Sequence, residues 1–150
     1  MKFAHTIEIR VFAKGQKEDI KKGLLEIVQL DLEKEKIALK DHTVTGFEEE
    51  KINIYSVLLV KQTHTNAFLK RLLKELSVED KQKLKDQKES RLDNELNFFL
   101  RLDKQVFLKE KHFKLTEGGD CYHIKMAIAA YPSTREQALK TIDALLDNKA

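Results

Sequence analysis

The sequence predicts an α+β fold, a mostly antiparallel sheet with helices packed on one of its faces. Three observations lead there. Stretches of period two and of period 3.6 follow one another in the order strand, helix, strand, strand, helix, helix, strand, strand, helix. Strands fall in adjacent pairs as well as across helices, which favours antiparallel neighbours over a doubly wound parallel sheet. The 150 residues, 41% of them hydrophobic, suffice for one core, so 1–150 is read as a single domain.

Phe3, His5, Ile7, Ile9 and Val11 share one face of a first, half-buried strand, and Thr6, Glu8 and Arg10 share the other. A helix follows from about Lys17 to Gln29, with Ile20, Leu24, Ile27 and Val28 on its apolar side. Gly23 weakens it unless something packs close against that position. Leu32 to Leu39 reads either as a short strand or as more helix, and Asp41 to Gly46 reads as a turn. Ile52, Ile54, Ser56, Leu58 and Val60 alternate, with Val57 and Leu59 apolar on the opposite side, as expected of a central strand. Thr65 or Asn66 is placed to cap a helix carrying Phe68, Leu69, Leu72, Leu73 and Leu76. Ser77 caps the next, about Val78 to Glu89, which is nearly all charge and has only Val78 and Leu84 to pack. Leu96 to Leu102 is a strand. Lys104 to Lys114 reads equally as a short helix capped by Asp103 or as a continuing strand. After the turn at Thr116–Asp120 comes a last strand in which Tyr122, Ile124, Met126, Ile128 and Ala130 share a face. Ser133 and Glu136 then form a capping box for a final helix with Ala138, Leu139, Ile142, Leu145 and Leu146 inward.

Composition narrows the functional classes. No apolar run approaches the roughly 20 residues that cross a bilayer, and the N-terminus alternates instead of forming the apolar block of a signal peptide. A lone Cys121 excludes an internal disulfide framework, and a reducing, cytoplasmic location is expected. The net charge is only +3, but it is unevenly spread. Residues 61–91 carry net +4 and residues 101–114 net +3. Segments of this kind attract phosphate backbones without reading sequence, or form solvated helix faces.

Catalytic and metal chemistry find little support. The glycines Gly15, Gly23, Gly46, Gly118 and Gly119 fit no phosphate-cradling loop. Cys121 and His123 share a strand face that His5 might approach, but the paired spacings of a zinc site are missing, and no cofactor or metal is expected. A small Cys/His enzyme would need Cys121 at least partly exposed. His42 and His64 read as surface residues, and Glu48, Glu49 and Glu50 as solvated charge. Of Phe98, Phe99 and Phe107, at least two are expected in the core, which leaves Lys and Arg on phosphates as the route to nucleic acid. That route suits structured or double-stranded RNA.

The stretch Phe98–Gln105 runs from an apolar strand into Arg101-Leu102-Asp103-Lys104-Gln105. Together with His5-Thr6-Ile7-Glu8-Ile9-Arg10, the strand ending Ala130-Tyr131-Pro132, and Arg135-Glu136-Gln137-Ala138-Leu139, it resembles the archaeal family of predicted exosome-subunit RNA-binding proteins. The resemblance implies a fold similar to ribosomal protein L5, no enzymatic activity, and RNA binding linked to an RNA-processing complex. It also implies Arg101, Lys104 and Gln105 as RNA contacts, with Asp103 orienting Lys104 or capping the backbone; Lys109 and Lys111 of the same basic segment are read as further candidate contacts on their charge. The chain departs from the family after His42, where Thr43-Val44-Thr45-Gly46-Phe47 replaces a Gly-Asn-Pro turn. A protein-interaction domain using a free sheet face or edge is the alternative, and it predicts an exposed apolar patch around Ala127, Ala129 and Tyr131.

Overall fold

A computed structural model describes residues 1–147. Five strands, β1 (Ala4–Ala13), β2 (Leu39–Thr45), β3 (Lys51–Leu59), β4 (Asn97–Asp103) and β5 (Cys121–Ile128), form one sheet in the order β2-β3-β1-β5-β4. Every neighbouring pair is antiparallel. Helices α1 (Lys17–Val28), α2 (Gln62–Glu75), α3 (Val78–Asp86), α4 (Lys88–Arg91), α5 (Lys104–Glu110) and α6 (Arg135–Leu146) gather on one face. The predicted α+β architecture is therefore the one observed. Ile7, Ile9 and Val11 of β1, Tyr55, Val57 and Leu59 of β3, Phe98, Leu100 and Leu102 of β4, and Tyr122, Ile124 and Met126 of β5 point at the helices and are buried.

Helix and sheet come unusually close at Gly23. The Tyr122 hydroxyl donates to the Ile20 carbonyl at 2.9 Å. A Cβ on Gly23 would lie 2.3 Å from that hydroxyl oxygen and 3.0 Å from Leu108 Cδ2. The C-terminus of α1 has no basic residue of its own in its last turn. Arg71 of α2 supplies the cation, donating to the Glu26 carbonyl and, at 2.6 Å, to the Ile27 carbonyl. Its guanidinium sits 5.1 Å above the Phe113 ring.

Several local expectations are corrected. The turn expected at Asp41–Gly46 is mostly strand β2; the chain reverses at Gly46–Glu50, closed by Gly46 N–H to Glu50 O at 2.7 Å. β2 is an edge strand exposed along most of both faces, so it lacks the alternation that marks a half-buried strand. A register shift between Ala4 and Thr6 buries Ala4 and turns His5 outward, at the end of the sheet opposite Cys121. Helix α2 starts at Gln62 rather than after Thr65 or Asn66, because Thr65 is buried inside it. His64 is buried as well, with Nε2 3.2 Å from Glu35. Ser77 does cap α3, accepting from Asp80 N–H at 3.0 Å. Asp80 does not close the box; it accepts the Leu115 N–H instead. The cap of α6 is Thr134, which accepts from Gln137 N–H, while Ser133 donates to the Ala130 carbonyl. Lys104–Glu110 is helix.

Candidate nucleic-acid interface

The sheet face away from the helices is open. Outward positions are fixed by strand register: Lys40 lies opposite Ser56, Ser56 opposite Arg10, Arg10 opposite His123, and His123 opposite Arg101. One transverse row thus crosses all five strands and carries three exposed cations, Lys40, Arg10 and Arg101. Exposed Lys125 stands on the next row, between Glu8 of β1 and Phe99 of β4. Glu8, Arg10, Phe99, Arg101, His123 and Lys125 line a shallow depression of about 100 Å³.

Two aromatic rings break this surface, Phe12 at 38% exposure and Phe99 at 40%. Phe12 is held in place: the Arg10 guanidinium lies 5.5 Å from its ring centroid, and the His123 ring meets it edge-on at 5.7 Å. Burial lowers the His123 pKa, and the charges of Arg10, Arg101 and Lys104 lower it further.

The Arg101–Gln105 block divides between surface and frame. Arg101 is exposed in the cationic row, with a guanidinium nitrogen 3.3 Å from the Glu117 carbonyl. Asp103 caps α5, accepting from Val106 N–H at 2.9 Å. Lys104 is only 3% exposed. Its ammonium donates to the Phe12 carbonyl at 2.7 Å and to the Asp120 carboxylate. Gln105 is exposed and donates to the same carboxylate at 3.2 Å. Burial alone would raise the Asp120 pKa; the bonds from Lys104 and Gln105 outweigh it and leave the group below the usual carboxylate range. Lys109 and Lys111 lie on the helix side, where Lys111 pairs with Glu26 at 3.1 Å. The five residues do not form one surface.

The 61–91 segment likewise sits on the helical face, where four of its nine cations, Arg71, Lys85, Lys88 and Arg91, are engaged. Lys85 and Lys88 pair with Asp147 and Asp143 at 2.6 and 2.7 Å, and Arg91 donates to Gln87 Oε1. Arg91 approaches the Arg101 neighbourhood, its guanidinium 3.3 Å from the Phe99 carbonyl. Arg10, Phe12 and Lys125, which share this open face, are not among the residues the sequence reading singles out as RNA contacts. Strand parity held the signal, since extending the wet face of Thr6, Glu8 and Arg10 by two residues lands on Phe12.

Cys121 and His123 are adjacent, Sγ to Nε2 3.6 Å, but Cys121 is only 2% exposed. Burial pushes its thiol up, away from the thiolate a nucleophile needs. Among the described residues no group of three His, Cys, Asp or Glu is placed to hold a metal ion. No helix among them is long and apolar enough to cross a membrane. Of the apolar patch expected at Ala127, Ala129 and Tyr131, only Tyr131 is prominently exposed, at 94%.

The open face is thus a solvent-facing antiparallel sheet crossed by cations and flanked by two aromatic rings. A family model described as RNA binding matches residues 6–129, and the chain belongs to that family. It is 26% identical over 149 residues to the RNA-binding protein PAB1135 of Pyrococcus abyssi, an alignment covering 97% of this chain and 96% of that one. Its fold is similar to that of protein AF2318 from Archaeglobus fulgidus, with a TM-score of 0.82 at 20% identity over 95% of this chain and 99% of the other. It is also similar to Mth689, a DUF54 protein from Methanothermobacter thermautotrophicus, with a TM-score of 0.76 at 24% identity over 97% and 99%.

Proposed function

We propose that the protein binds RNA on the open face of its sheet and catalyses no reaction. The transverse row Lys40–Ser56–Arg10–His123–Arg101 carries this reading, because it sets exposed cations on alternate strands, about 10 Å apart, on a surface the helices leave free. Family membership and the name of the Pyrococcus relative support RNA as the ligand. Guanidinium and ammonium groups take phosphate oxygens, which fixes position and makes affinity fall with salt. In this reading Arg101 touches RNA, whereas Lys104 and Gln105 hold the frame beneath Phe12 and Asp120. Lys109 and Lys111 lie off the binding face.

Salt titrations of RNA affinity test the proposal. Arg10→Ala/Arg101→Ala should weaken binding and flatten the log–log salt slope by about 1.4–1.8, whereas Lys109→Ala/Lys111→Ala should leave both near wild type. The opposite ranking would move the site to the helical face. Association with an exosome-type RNA-processing complex belongs to the same reading and is supported by the sequence resemblance. Direct binding of the purified chain to a reconstituted complex, with and without RNA, checks it.

A further inference from the structure

We infer that the RNA taken by the open face is single-stranded, with two bases stacked on Phe12 and Phe99 and the intervening phosphates on Arg10 and Arg101. The inference rests on the RNA-binding reading of this face and specifies its ligand class.

Phe68, Phe98, Phe107 and Phe113 are buried, as apolar side chains of that size normally are. Phe3 is half-buried and Phe47 is exposed in the turn between β2 and β3; Phe12 and Phe99 are also exposed, and these two stand on the open face beside the cationic row. Without exposed rings, cations on phosphates favour a duplex ligand; two exposed rings remove that premise. Base faces in an A-form duplex are consumed by their neighbours, so a protein ring gains nothing from them. Unstacked bases of a single strand offer a free face to any ring, whatever the sequence.

The spacing fits an extended strand. β5 separates β1 from β4, and the register places Phe99 level with Glu8, four residues along β1 from Phe12. With strands about 4.8 Å apart and a rise of about 3.4 Å per residue, the two rings lie roughly 16 Å from each other. A few nucleotides bridge that distance, and their backbone would cross Arg10, His123 and Arg101 on the way. The platform is also prearranged. Lys104 pins the Phe12 carbonyl from behind, and Arg10 and His123 flank the Phe12 ring, so little side-chain freedom is lost when a base settles. Ile54, opposite Phe12 on β3, extends the apolar floor beside that ring.

The test compares a short oligouridine RNA with an RNA hairpin duplex of matched charge, by fluorescence anisotropy, for wild type, Phe12→Leu/Phe99→Leu and Phe12→Tyr/Phe99→Tyr. Thermal melts of each variant establish that it is folded. Wild type should prefer oligouridine by at least about tenfold. The Leu pair should lose about tenfold per ring on oligouridine and little on the duplex, and the Tyr pair should recover the loss because the ring returns. Duplex bound as tightly as oligouridine, with the Leu pair unchanged on both, would overturn the single-strand inference and leave RNA binding standing. No measurable binding to either RNA would overturn the RNA-binding reading itself.

Discussion

Gly23 is where helix propensity and packing make opposite predictions. On a free helix Gly→Ala stabilises by about 0.8–1 kcal/mol. Here the new methyl would sit 2.3 Å from the Tyr122 hydroxyl oxygen, a distance real Cβ atoms do not tolerate. Tyr122 has no measurable exposure, and its hydroxyl is tied to the Ile20 carbonyl at 2.9 Å, so it cannot simply swing away. Overpacking of a filled core costs about 1–3 kcal/mol, and a broken hydrogen bond adds roughly 1. Setting the propensity gain against these leaves Gly23→Ala destabilising by about 1–3 kcal/mol. For a chain of this length that lowers Tm by roughly 3–10 °C. Removing the hydroxyl removes the worst of the clash: the remaining ring carbon lies at 3.4 Å, and the Leu108 Cδ2 at 3.0 Å is the end of a half-buried side chain that has only to give by a few tenths of an ångström. Gly23→Ala/Tyr122→Phe should therefore match Tyr122→Phe alone or exceed it. Urea and thermal unfolding of the four proteins would show a coupling of at least about 1 kcal/mol, well outside the roughly 0.3–0.5 kcal/mol scatter of independent sites. A higher Tm for Gly23→Ala, or effects that add, would refute the reasoning.

Three further outcomes are expected. Lys104→Met keeps the buried stem but leaves the Phe12 carbonyl without its donor, at a cost of about 1–3 kcal/mol in unfolding experiments. Since Lys104 helps hold the Asp120 pKa down, that contribution to stability is present above the ordinary carboxylate pKa and lost as pH falls through the depressed folded value; the variant should show a shallower acid limb. His123 faces Arg10 on β1, Arg101 on β4, Lys104 on α5 and Cys121 on its own strand, and its pKa is lowered. RNA phosphates that neutralise the two arginines would raise it, so binding takes up a proton. Affinity should climb as pH falls from the raised pKa of the complex toward the lowered pKa of the free protein and level off beneath it, and His123→Gln should flatten the climb; identical profiles for the two proteins would speak against His123 as the linked group. The Cys121 thiol should resist a disulfide reagent in native buffer and react on unfolding, and rapid stoichiometric labelling of native protein would reopen the Cys/His enzyme.

What the sequence revealed follows from how much of each feature is local. β1, β3, β4 and β5 were readable because one face of each is buried and the alternation records it. β2 was not, because an edge strand exposed on both faces carries no such record. Residues 104–110 were ambiguous since Lys104, a polar residue by composition, is inward; its partners are the Phe12 carbonyl and Asp120, distant in sequence. The same fact separates Lys104 from Arg101, which the Arg101–Gln105 block presents as equals. His5 was misplaced by one register shift, which reverses facing at a stroke. The cationic row itself requires the strand order, because Lys40, Arg10 and Arg101 come from three strands that only the order β2-β3-β1-β5-β4 aligns.

The most direct test of the account is backbone amide chemical-shift mapping of the protein titrated with a short oligouridine RNA. The account predicts saturable shifts concentrated on β1, β5 and β4, around Arg10, Phe12, His123, Lys125, Phe99 and Arg101, with the α5 surface at Lys109 and Lys111 quiet. Shifts confined to α1, α5 or the 61–91 helices, with the open face silent, would contradict it.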